Sequence, residues 1–120
     1  MFNFEKLDVW HRAIEFADLV YGFTSEFPGD ERFGLTNQMR RASVSVSSNL
    51  AEGCSRGSKQ DFARFVEIAT GSLFEVVSQT FVAQRQLFLG SDQRCQIYDA
   101  AEELSRMLSG LKRSLLSESD

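Results

Sequence analysis

GLTNQMRRASVSVSSNLAEGCSRGSKQDFARFVEIATGSLFE, residues Gly34–Glu75, reads as one helix, a Gly/Ser turn and the start of a second helix. Leu35, Met39, Ala42, Val46 and Leu50 recur at three- and four-residue spacing, the period of one helix face, and predict a helix over Leu35–Cys54. Its end is marked by the run from Gly53 to Gly57. Arg41, Ser45, Ser48 and Glu52 are separated by four, three and four residues, so they share a face of that helix. Ser43, Ser45, Ser47 and Ser48 are poor helix formers alone, but their small size admits a close neighbour and their hydroxyls can bond back to helix carbonyls. Ser58 followed by Asp61 resembles a capping box, with Asp in the usual Glu place. It opens a helix predicted from Lys59 to Phe88, with Phe62, Phe65, Val66, Ala69, Leu73, Val76, Val77, Ala83 and Leu87 as a wide apolar face. Gly71-Ser72 weakens that helix by about 1 kcal/mol for the glycine, a loss that close packing would justify.

Outward from this stretch the pattern stays helical. The chain has one proline, Pro28, and Phe27-Pro28-Gly29-Asp30 marks a turn. Before it, a helix is predicted from Val9 to Ser25 with Asp8 as N-cap. That helix carries two apolar rows: Leu7, Trp10, Ile14, Ala17, Tyr21, and Val9, Ala13, Phe16, Val20, Phe23. A helix apolar on two sides contacts two neighbours, one of which can be another subunit. After Gly90 as C′ and Ser91 as N-cap, a last helix is predicted from Asp92 to Leu116, with Ile97, Ala101, Leu104, Leu108, Leu111 and Leu115 in one row. The final residues, Ser117 to Asp120, are expected to fray. Four helices with short connections predict an all-α, antiparallel up-down-up-down four-helix bundle in a single domain spanning residues 1–120.

Composition narrows the function classes. Eleven phenylalanines in 120 residues give more apolar area than one thin bundle hides, which favours an oligomer. A net charge of −4 argues against a general nucleic-acid coat. Between Arg32 and Lys59, however, the charged residues are Arg32, Arg40, Arg41, Arg56 and Lys59 against Glu52 alone. Two cysteines far apart, Cys54 and Cys95, fit free thiols in a reducing cytosol. No apolar run approaches the roughly 18 residues of a membrane span and no signal peptide is evident, so a cytoplasmic location with no membrane partner is expected.

Chemistry-bearing residues are few. His11 is the only histidine, and no Glu-x-x-His pair is present, so no metal or cofactor is expected. Gly53–Ser58 is glycine-rich before a helix N-terminus, yet a plain inter-helix turn explains it. Arg41, Asn49, Glu52 and Glu75 form the candidate polar set, read first as a structural or inter-subunit network and alternatively as an acid/base site. Cys54 beside Arg56 and Lys59 is the one candidate nucleophile, without a base placed near it by the sequence. Arg40, Arg41, Arg56 and Lys59 are the candidate phosphate contacts, with no aromatic interleaved as a stacking platform.

The elements Lys6-Leu7-Asp8-Val9-Trp10, Tyr21, Phe27-Pro28, Phe33-Gly34-Leu35, Arg40-Arg41-Ala42 with Ser45, Asn49-Leu50-Ala51-Glu52-Gly53, and Ala69 with Gly71-Ser72 and Glu75 resemble the bacterial four helix bundle proteins, the ribosomal-RNA intervening-sequence protein family. The match runs to about Leu89; the last helix agrees only in pattern. The resemblance implies a four-helix bundle assembled as a homopentamer. Some relatives are encoded in insertions within large-subunit ribosomal RNA genes. Distant relatives, the accessory variability determinants of retroelements, are basic pentamers that bind nucleic acid and a reverse transcriptase. This chain departs from those in charge, with −4 on each subunit and −20 on five. The expected function is a non-enzymatic oligomeric scaffold or adaptor, itself its main partner, associating with RNA or a ribonucleoprotein. The alternatives are a small-ligand binder, or an enzyme with an inter-helix site built on Glu52, Glu75 or Cys54.

Overall fold

A computed structural model describes residues 1–117. The expected fraying of the C-terminal tail lies, beyond Ser117, outside the described residues. Four helices carry the fold: α1 (Asp8–Thr24), α2 (Leu35–Cys54), α3 (Lys59–Arg85) and α4 (Ser91–Ser117), with 3₁₀ turns at Asn3–Lys6 and Gly29–Glu31. Helix α1 packs on α2, α2 on α3, α3 on α4, and α4 back on α1. Asn3, just before α1, bonds the Cys54 carbonyl at the end of α2, while Arg40, early in α2, reaches Tyr21 and Thr24 at the end of α1. Arg94 at the start of α4 meets Gln84 at the end of α3. Each helix thus runs antiparallel to the next, giving the expected four-helix bundle.

The core is one cluster built from a face of each helix: Val9, Ala13, Phe16 and Val20 from α1, Met39, Val46 and Leu50 from α2, Val66, Ala69, Leu73 and Val76 from α3, and Ile97, Leu104 and Leu108 from α4. Each fully buried Leu, Ile or Met contributes roughly 1.5–3 kcal/mol of transfer free energy. Ser43 and Ser47 sit inside this packing because their hydroxyls bond back to the Arg40 and Val44 carbonyls, at 2.9 and 3.0 Å. Gly53 shows why α2 can end so close to α3. A Cβ there would lie 2.8 Å from Phe62 Cδ1 and 2.9 Å from Phe65 Cβ.

Several boundaries differ from the sequence expectation. Asp8 lies inside the first turn of α1 and Leu7 takes the N-cap position without a side-chain bond; the carboxylate faces the helix dipole instead of capping it. Ser58 does cap α3, accepting the Asp61 amide at 3.1 Å, but the Asp61 carboxylate turns to Arg64. Helix α3 stops at Arg85, short of Phe88. The Phe88 amide bonds the Ala83 carbonyl at 2.9 Å and the Leu87 amide bonds Gln84 at 3.0 Å, the paired bonds of a Schellman turn. The left-handed residue of that turn is Leu87 (φ 67°), and no glycine has positive φ. Leu87 therefore leaves the apolar face it was assigned to and points into solvent, while Phe88 packs 5.5 Å from Phe27 and Leu89 is buried. Gly90 instead leads into α4, with its amide bonded to Gln93 Oε1. At Gly71 no atom lies within 4 Å of where a Cβ would stand, so no close packing within the subunit explains that glycine. Of the second α1 row, Ala17 is buried and Leu7 and Trp10 are half-buried, but Ile14 and Tyr21 are exposed.

Candidate functional site

The outer face of α2 is the surface singled out by residue spacing. Arg41, Ser48 and Glu52 are exposed on it, and Ser45 and Asn49 are half-buried at its border with α3. Asn49 Nδ2 donates to the Ser45 carbonyl at 2.8 Å and to Ser45 Oγ at 3.0 Å. Ser45 Oγ in turn lies 2.8 Å from Ser72 Oγ on α3, so a small hydroxyl–amide chain joins the two helices. Glu52 pairs with Arg56 at 2.8 Å, one turn along, with both side chains about half exposed. Glu75 accepts from Gln79 Nε2 at 3.2 Å. Arg41 makes no hydrogen bond or ion pair with any described residue, although it lines one shallow groove of about 420 Å³ with Gln38, Ser45, Ser72 and Glu75. Within one subunit the four-residue polar set therefore separates into local pairs rather than closing as one network.

The basic residues divide in the same way. Arg40 Nε donates to Thr24 Oγ1 at 2.9 Å and its guanidinium lies 4.6 Å from the Tyr21 ring centre. Arg56 lies 4.6 Å from the Phe65 ring centre. Arg40 and Arg56 are separated along α2 by about 24 Å at 1.5 Å per residue, so they make two basic spots, not one patch. Lys59 is exposed at the start of α3 beside the second spot. Both arginines do have an aromatic partner, contrary to the sequence reading. Tyr21 and Phe65 come from neighbouring helices, which local sequence inspection does not reveal.

The nucleophile reading finds no support in the geometry. Burial pushes the Cys54 thiol above its ordinary pKa, the opposite of what a reactive thiolate needs. His11 is held 2.7 Å from the Glu5 carbonyl oxygen and stacks edge-on against Trp10. Among the described residues no three His, Cys, Asp or Glu side chains are grouped as a metal could use them, and no helix is long and apolar enough to cross a membrane.

Sequence reasoning missed a groove of about 490 Å³ between α3 and α4, walled by Leu73, Phe74 and Val77 and rimmed by Tyr98, Glu102 and Arg106. Phe74 is 62% exposed there. The available signal was Phe74 and Phe81, seven residues apart and hence on one stripe of α3, beyond the face already assigned to the core.

The sequence matches the family model of the 23S rRNA-intervening sequence protein over residues 5–110. Among solved structures it is similar to a protein of unknown function from the S23 ribosomal protein family of Bacteroides thetaiotaomicron. The TM-score is 0.81 at 20% identity, over 88% of this chain and 95% of that one, a likeness in fold. Among curated proteins none matches.

Proposed function

The chain belongs to the 23S rRNA-intervening sequence protein family, and from that premise we propose that it is a non-enzymatic, homo-oligomeric helical scaffold or adaptor of the cytoplasm that associates with RNA or a ribonucleoprotein. The observation that carries the oligomeric part is apolar surface left in helix interiors. Ile14, Tyr21, Ile68, Phe74, Phe81 and Val82 are each at least 36% exposed. Such surface marks an interaction site in a folded protein. Five subunits is the number the resemblance implies. The non-enzymatic part is supported by the exposed, locally engaged carboxylates Glu52 and Glu75 and by the protonated Cys54 thiol.

The RNA part is supported by the Arg40/Arg41 and Arg56/Lys59 spots, each beside an exposed or half-buried aromatic ring. A repeating assembly would set several such spots around one particle and multiply weak contacts. Native mass spectrometry of protein purified gently from its host tests the whole reading: a multiple of 13.6 kDa carrying RNA or protein supports it. Affinity for RNA that falls with salt, and falls further in the Arg40→Ala/Arg56→Ala double variant, supports the RNA clause. No binding at low salt removes that clause. The small-ligand reading draws on the α3/α4 groove, and a metabolite retained by the subunit would favour it.

A further inference from the structure

We propose that copies of this chain join head to tail, with the α3/α4 groove of one subunit receiving the α1/α2 seam of the next. The inference rests on the homo-oligomeric reading above and names its two surfaces. The helices follow each other around the bundle in chain order, and α4 closes onto α1. The α1/α2 and α3/α4 seams are therefore opposite sides of a body 22 × 20 Å in cross-section. Both carry apolar side chains in the open. Ile14 (36% exposed), Tyr21 (44%) and Val44 (40%) flank the first, and Phe74 (62%) stands at the second. The remaining seams are bridged by polar contacts, Arg12 with Glu103 between α1 and α4, and Ser45 with Ser72 between α2 and α3.

Opposed patches decide the symmetry. A two-fold dimer through either patch leaves the other in water. A head-to-tail contact covers both, and it repeats until the ring closes. Shape agrees, since one side is a groove of about 490 Å³ and the other presents protruding side chains. Charge agrees as well. Asp18, on the α1 stripe between Ile14 and Tyr21, and Arg41 flank the first seam; Glu102 and Arg106 rim the second. None of the four has a hydrogen bond or ion pair with a described residue. Each seam thus offers one acid and one base, and the contact supplies each with its opposite.

The test uses the full chain in two single variants, Phe74→Glu in the groove and Ile14→Glu on the seam, with the melting of each measured first. Each alone should lose the assembly and run as a 13.6 kDa subunit. Mixed in equal amounts, with one copy isotopically heavy, they should form a one-to-one dimer in native mass spectrometry. That dimer uses the intact groove of the Ile14→Glu copy and the intact seam of the Phe74→Glu copy. A mixture that stays monomeric at high concentration overturns the proposal, as does an assembly unaffected by either variant. Should a glutamate variant melt below the assay temperature, Phe74→Ala and Tyr21→Ala are read in the same way. A wild-type chain that is itself monomeric defeats the scaffold reading instead, and a small molecule seated in its groove would assign that surface elsewhere.

Discussion

Gly53→Ala measures how tightly α2 is held against α3. The added methyl would stand 2.8 Å from Phe62 Cδ1, 3.2 Å from Phe62 Cε1 and 2.9 Å from Phe65 Cβ. The Phe62 ring can rotate aside. Phe65 Cβ cannot, because it is fixed to the α3 backbone, so the first turns of α3 must move by several tenths of an ångström. Overpacking of this kind costs about 1–3 kcal/mol. Alanine's better helix propensity returns up to about 1 kcal/mol, less near a helix end. The net is a loss of about 1–2 kcal/mol. Unfolding entropy near 2.1 cal/mol/K per residue converts that to a fall in Tm of roughly 4–8 °C. Thermal melting by circular dichroism at matched concentration reads it. Gly71→Ala is the internal control: with nothing within 4 Å, it should gain up to about 1 kcal/mol. An unchanged or raised Tm for Gly53→Ala would refute the packing argument.

Leu87→Gly should raise stability by roughly 0.5–1 kcal/mol, because a left-handed leucine is strained by about 1–2 kcal/mol and glycine returns part of this as chain entropy. Leu87 is 89% exposed, so no packing is lost; a lower Tm would contradict the Schellman assignment. Gln79 Oε1 is the buried side-chain atom without a hydrogen-bond partner among the described residues. Gln79→Met should therefore be neutral or stabilising by up to about 1–2 kcal/mol in denaturant unfolding, and a clear loss would mean that the oxygen has a partner. Burial favours the neutral Cys54 thiol, so the folded chain holds that proton to higher pH than the unfolded chain. The resulting stability is whole below the unfolded thiol pKa and is lost as pH rises through the folded one. Alkylation of Cys54, followed by peptide mass spectrometry, should accordingly keep rising at pH values where free cysteine has levelled off; saturation at or below that pH would refute it.

The central helix was legible because its limits are written in local chemistry. Gly34 precedes it, the Gly53–Gly57 run follows it, and α2 spans Leu35–Cys54 as expected. Ser58 was legible for the same reason. The end of α3 was not, since the residue that adopts the left-handed turn is a leucine, while Gly90 three residues on mimicked the usual signal. Burial of Phe88 and Leu89 explains why the chain turns there. At the candidate site, spacing alone placed Arg41, Ser48 and Glu52 on one face. Their pairing was partly readable: Glu52 and Arg56 stand four residues apart, the commonest helical ion-pair spacing. The stacking of Arg40 on Tyr21 and Arg56 on Phe65 was not, because it depends on how separate helices pack. Phe74 was missed because the core-facing pattern of α3 is complete without it, so its exposure shows only once α4 is in place.

Sedimentation velocity across a dilution series asks the decisive question of whether the greasy seams find each other. The account predicts a particle several times 13.6 kDa that persists at micromolar subunit concentration. A compact species of one subunit's mass throughout the series would contradict it.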